Sequence, residues 1–189
     1  ALYGLSRNPR KAAWNRLAFY NLTDMERTAE ALKYADALFN ASDSSKFTGF
    51  DYTYYGTALK NDKQYDKAIE MFNKAMQENK GNEELVNSNR KALSDLYLAK
   101  EDFDKATAYY EEYLKHAPKT TASDMAGLAT IYMNLAAKQT GDQQKASFKK
   151  ADDVYARLGE KFPANIDFAN FMRARINSNL DPETKEGLA

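Results

Sequence analysis

One small side chain returns in step along this chain, and it constrains the fold more than any other feature. Ala31, Ala68, Ala106 and Ala151 lie 37, 38 and 45 residues apart. The last three are each followed four positions later by an aromatic: Phe72, Tyr110 and Tyr155. Residues four apart share one face of a helix. The surroundings look alike: Tyr65-Asp66-Lys67-Ala68, Phe103-Asp104-Lys105-Ala106 and, more loosely, Lys149-Lys150-Ala151-Asp152. A second helical pattern precedes each Ala, with its own small position at Ala18, Gly56, Ser94 and Ala129. Two small columns let paired helices approach to the usual interaxial distance of about 8–10 Å or less. Larger side chains there would overpack the contact, at about 1–3 kcal/mol. Self-similarity at this period marks a repeat architecture.

Composition agrees with helices joined by short links. Across 189 residues there are only 8 Gly and 4 Pro, less punctuation than a sheet-rich fold needs. Hydrophobic residues make up 43%, enough for a continuous core. Lys plus Arg (27) balances Asp plus Glu (27), so no whole-molecule field draws nucleic acid or anionic lipid. The absence of Cys removes disulfides, thiol catalysis and Cys-ligated zinc. No apolar run approaches the roughly 18 residues of a membrane span. The chain does not open on Met and shows no signal-peptide pattern, and it reads as a processed protein or an excised piece.

The clearest unit reads Tyr52, Tyr55, Gly56 and Leu59, then Tyr65, Ala68, Phe72 and Ala75, with Asn-Asp-Lys-Gln-Tyr-Asp-Lys-Ala (61–68) between the halves. This resembles the tetratricopeptide repeat (TPR), a helix-turn-helix unit of about 34 residues. The same register places Trp14, Leu17 and Ala18 before Ala31, Ala35 and Leu38. It places Leu93, Ser94 and Tyr97 before Phe103, Ala106, Tyr110 and Tyr113. It places Met125, Leu128, Ala129 and Tyr132 before Ala151, Tyr155 and Leu158. The resemblance implies an all-α fold, a right-handed α-solenoid of stacked antiparallel helix pairs, in a bacterial TPR-repeat protein. The expectation is a single domain over 1–189, with pairs at 12–40, 49–80, 87–118 and 122–163 and a partial fifth at 165–189. Pro118 and Pro163 close second helices. Asn40 to Lys46 reads as a loop between repeats, and residues 136–144 as an extended helix end followed by a polar loop.

Candidate chemistry is sparse. His116, the only histidine, sits at an expected helix C-terminus, where a cation suits the dipole. Any Ser-His-Asp set or His-ligated metal would have to use it. The pairs Glu83-Glu84, Glu111-Glu112 and Asp152-Asp153 are adjacent in sequence, so their carboxylates diverge by about 100° on a helix and cannot face one another. Asp43-Ser44-Ser45 lacks the Gly and the terminal Glu of a calcium loop. No phosphate-cradling glycine motif occurs. The reading is therefore no enzyme, no cofactor and no metal.

What the resemblance implies instead is a concave inner face, lined by the first helix of each pair, that holds a protein or peptide. Carried over position by position, the lining is Asn15 and Phe19, then Phe50, Thr53, Thr57 and Lys60, then Lys91, Asp95 and Leu98, then Ala126, Thr130 and Met133, and finally Ala169, Arg173 and Ile176. Thr53, Thr57 and Asp95 stand where a carboxylate-clamping member of the family would need Lys and Asn, so that use is disfavoured. The leading expectation is a protein-interaction scaffold. The alternatives are glycan or small-ligand capture in a bacterial cell envelope, and the non-catalytic repeat part of a larger enzyme. Periplasm or envelope is favoured over cytoplasm. The apolar side of the last helix (Ile166, Phe168, Phe171, Met172) calls for further chain or a second copy to cover it, so the expectation is self-association or exposed apolar surface at that end.

Overall fold

The computed structural model describes residues 2–42, 46–181 and 183, and those residues are helices and short links without a strand. The elements are α1 (Leu2–Arg7), α2 (Ala12–Asp24), α3 (Thr28–Asp36, running on as a π-turn through Ala41), α4 (Gly49–Asn61), α5 (Tyr65–Glu78) and α6 (Glu83–Ala99). They continue as α7 (Phe103–His116), α8 (Ala122–Lys138), α9 (Gly141–Lys161), a 3-10 turn (Pro163–Asn165) and α10 (Ile166–Leu180). The chain divides into two compact units, Ala1–Leu96 and Tyr97–Ala189.

In unit 1, α2 packs on α3 and α4 on α5, while α3 also touches α4 and α1 touches α2. In unit 2, α8 packs on α9, α9 on α10, and α7 on α8. Both small columns are buried: Ala31, Ala68, Ala106, Ala151, Ser94 and Ala129 have no exposed surface. At Gly56 a β-carbon would come within 3.0 Å of the Phe72 ring, so the glycine is what admits the aromatic between α4 and α5. The unit 1 core gathers Phe19, Leu22, Leu38 and Ala58 around Ala31 and Ala35. The unit 2 core gathers Tyr110, Leu128, Tyr132, Tyr155 and Leu158 around Ala106 and Ala151.

The links after α2, α4 and α6 share one turn. Two residues past each helix the backbone is left-handed: φ is 57° at Glu26, 61° at Lys63 and 58° at Glu101. The next amide closes the helix, Arg27 donating to the Leu22 carbonyl, Gln64 to Leu59 and Asp102 to Tyr97, each at 2.9 Å. This is a Schellman closure, normally given to glycine because a left-handed L-residue costs about 1–2 kcal/mol. Each buried Ala of the second helices in these pairs follows its left-handed residue by five positions. Lys63→Gly is therefore expected to stabilise unit 1 by about 0.5–1 kcal/mol, after the extra chain entropy of glycine is subtracted. A urea melt in which Lys63→Gly unfolds earlier than the parent would contradict that strain.

Side chains fix the starts of α4, α6, α7 and α8. Thr48 and Asp51 form a capping box on α4, and Thr121 and Asp124 form one on α8. The Asn82 side chain accepts from the Leu85 amide at 3.2 Å, and Asp102 accepts from Lys105 at 3.3 Å.

Three expectations change. In residues 136–144 the helix end does extend, α8 running to Lys138, but the polar loop shrinks to Gln139 and Thr140, because α9 begins at Gly141 (φ 60°) and lasts 21 residues. The added residues became an extra length of helix, held by Gln144 donating to the Ala136 carbonyl (3.1 Å) and Ser147 meeting Gln139 (2.6 Å). The stretch Asn40 to Lys46 begins inside the π-turn, and Asp43 to Ser45 lie outside the described residues. Residues 184–189, the end of the expected fifth pair, also lie outside them. The first residues, outside the four expected pairs, form α1, whose Gly4 lies against the Trp14 ring. Trp14 (39% exposed) and Leu17 (45%) were placed in core columns but lie at the surface, because the six-residue α1 covers only part of α2.

Candidate partner-binding site

The expected lining residues of unit 1 separate into two groups. Asn15 and Phe19 are inside. Phe19 has no exposed surface and meets Tyr54 and Tyr55 of α4 edge-on, at 6.3 and 6.2 Å. Asn15 is 1% exposed and donates to the Pro9 carbonyl (3.0 Å) and to Ser42 Oγ (3.1 Å). As folded, these two offer nothing to a partner, because α4 and the chain before and after the pair close over them.

Phe50, Thr53 and Thr57, in contrast, open together onto a depression of about 440 Å³. Its wall is α4, adding Tyr54 and Asn61; its rims are the end of α2, with Thr23, Asp24 and Glu26, and Leu85 in the first turn of α6. Phe50 is 47% exposed, unusual for a phenyl ring. The Thr53 hydroxyl lies 3.0 Å from the Gly49 carbonyl and 3.1 Å from Asn89 Oδ1, and Thr57 donates to the Thr53 carbonyl at 2.9 Å. Those bonds fix both methyl groups. The Tyr54 hydroxyl donates to Asp24 Oδ2 at 3.4 Å; burial, and then the nearby Asp24 charge, push its pKa up. Lys60 and Lys91 are half-buried and Asp95 is exposed, none of them lining the depression.

Behind this wall sits a polar network that holds α4 on α2. Asp51 is fully buried and accepts from Arg16 Nε (2.6 Å) and Nη2 (3.0 Å), Tyr20 Oη (2.8 Å) and the Thr48 amide (2.8 Å). Burial pushes the carboxyl up, but the hydrogen bonds from Arg16, Thr48 and Tyr20 outweigh it and hold its pKa below the ordinary value. Burial and the bond to Asp51 raise Tyr20 well above a free phenol. Tyr20 in turn stacks on Tyr54 with centroids 4.0 Å apart, which carries the order of the network to the depression. Reading the sequence by repeat register missed Arg16, Tyr20 and Asp51; only the Thr48-x-x-Asp51 spacing signalled a helix start there.

In unit 2, Thr130 is exposed, with its hydroxyl on the Ala126 carbonyl at 2.9 Å. Leu98, Met133 and Ala126 are half-buried against the core. Arg173 makes a two-pronged pair with Asp152, at 2.9 and 3.3 Å. Ala169 and Ile176 are buried, so α10 turns these two inward while Ile166, Phe168 and Phe171 stay 46–61% exposed.

The titratable pairs have structural partners. His116 Nε2 lies 3.3 Å from Glu112. Glu83 pairs with Arg90 at 2.5 Å, Glu111 accepts from Tyr132, and Asp152 holds Arg173. Among the described residues no group of three or more His, Cys, Asp or Glu is placed to hold a metal ion, and no helix is long and apolar enough to cross a membrane.

Residues 61–132 match the family model of the tetratricopeptide repeat. Over that stretch the chain carries tetratricopeptide repeats. Solved structures share the fold. One is the C-terminal part of a TPR repeat-containing protein from Cytophaga hutchinsonii, 21% identical, covering 98% of this chain and 66% of that one, with a TM-score of 0.72. Two others are MamA from MSR-1 (13% identical, 93% of this chain and 86% of that, TM-score 0.60) and MamA from AMB-1 (15%, 94% and 98%, 0.58). The chain thus spans just under two thirds of the first. No curated protein sequence matches it significantly. Tetratricopeptide repeats are generally non-catalytic scaffolds for protein–protein contact, and this chain has their fold.

Proposed function

We propose that this protein binds a segment of another protein on first-helix residues of unit 1, with Phe50, Thr53 and Thr57 as the contact surface, and that it does so without catalysis. The observation that carries this reading is the exposed Phe50 ring in a concave surface whose Thr53, Thr57 and Tyr54 side chains are pinned. A ring left half in water gains about 1 kcal/mol or more when a partner covers it. The pinned threonines lose little entropy on binding, which favours affinity. Apolar anchors with a few orienting polar contacts suit an extended or helical segment.

The test is quantitative pull-down from the native source. Three baits are compared: the parent chain, Phe50→Asp, and Gln77→Asp on the exposed side of α5 as a control. Phe50→Asp is expected to lose at least about tenfold in recovery of its specific partners, equivalent to about 1.4 kcal/mol. The control should retain them. Equal recovery by parent and Phe50→Asp, with matched melting curves, would overturn the assignment.

A further inference from the structure

We propose that the depression between α2, α4 and α6 selects a basic side chain, arginine or lysine, carried next to an apolar residue on the partner's segment. This rests on the reading of the depression as the partner site and adds its chemistry. The lining contains two carboxylates, Asp24 and Glu26, and no cationic side chain; the remainder is hydroxyl, amide, aromatic and aliphatic. Both carboxylates are exposed. The bond Asp24 accepts from Tyr54 is long at 3.4 Å, leaving the carboxylate most of its acceptor capacity.

Backbone charge acts in the same sense. α2 ends at Asp24 and α4 ends at Asn61, so two helix C-termini, each carrying partial negative charge, meet the rim. The positive end of α6 also arrives there, but its first turn carries Glu83 and Glu84. An acidic segment would meet two carboxylates and two negative helix ends with no counter-charge among the lining residues. A basic one would place its head group on Asp24 or Glu26. Its aliphatic stem would lie along Leu85 and the face of Phe50, a contact that long cationic side chains make readily. Arginine, with its planar fork, can also bridge a carboxylate and stack on the ring.

The experiment follows amide resonances of the isotope-labelled full chain during titration with two capped peptides, acetyl-Arg-Leu-Arg-Leu-amide and acetyl-Glu-Leu-Glu-Leu-amide. The basic peptide is expected to shift the Phe50, Thr53 and Thr57 amides at concentrations about tenfold lower than the acidic one. The difference should shrink as salt is raised. The double variant Asp24→Asn, Glu26→Gln, both at exposed positions, should abolish the preference, while Phe50→Ser should weaken both peptides. Equal or reversed preference would overturn the charge selection and leave the partner site standing. If neither peptide moves those amides, both readings fall.

Discussion

Asp51→Ala is expected to destabilise unit 1 by about 3 kcal/mol, the low end of the 3–5 kcal/mol seen when one partner of a buried pair is removed. The low end applies because Arg16 keeps 29% of its side-chain surface in water and can recover part of its hydration. The rest of the loss comes from removing the acceptor that Tyr20 Oη and the Thr48 amide share, and with it the capping box. Chemical denaturation followed by tyrosine fluorescence reads the change directly. A loss under about 1 kcal/mol would place the network among ordinary surface pairs.

The same carboxylate makes stability depend on pH in a stated direction. The pKa of Asp51 is lower in the folded chain than in the unfolded one, where it sits near 3.9. Its contribution is present above that ordinary value and is lost as pH falls through the lowered folded-state pKa. As pH falls from about 4 through the lowered folded-state pKa, the parent should therefore lose stability more steeply than Asp51→Asn. Parallel pH profiles for the two would contradict the assignment.

Phe72→Ala is expected to cost about 3–5 kcal/mol, because a 1%-exposed ring filling the space between α4 and α5 leaves a cavity that helices cannot close. The pairing with Gly56 gives a sharper test. Gly56→Ala alone gains about 1 kcal/mol of helix propensity but drives a methyl to 3.0 Å from the ring, and the crowding wins. In the Phe72→Ala background the same substitution has room, so its effect should change sign from destabilising to stabilising. A double-mutant cycle that comes out additive would mean the two residues do not share that contact.

The two small columns were legible in the sequence because they obey a steric rule that depends little on context: where helix backbones touch, only small side chains fit. The lining positions were less legible because they depend on what lies over each helix. Phe19 and Thr53 were assigned to the same inner face by register, yet α4 presents Tyr54 and Tyr55 over Phe19, while nothing of comparable size covers Phe50 beside Thr53. Trp14 and Leu17 were misplaced for the opposite reason, since the neighbour they needed is only one and a half turns long. Arg16 and Asp51 are 35 residues apart and follow no period, so nothing in a repeat pattern could couple them. Tyr110 lying across Gly127 escaped notice likewise, because the glycine falls outside both columns.

The shared turn after α2, α4 and α6 has a kinetic consequence. Each of these hairpins is tied off by hydrogen bonds between residues no more than five apart, so its reversal forms without waiting for distant chain to arrive. Loop-closure entropy is then small, and such topologies assemble quickly, with nucleation open to any hairpin that closes first. The link before α9 puts its left-handed residue at Gly141, three positions past α8 rather than two, and Gln139 closes the helix end only on the Ala136 carbonyl, which makes the long α8–α9 hairpin the natural candidate for the slow step.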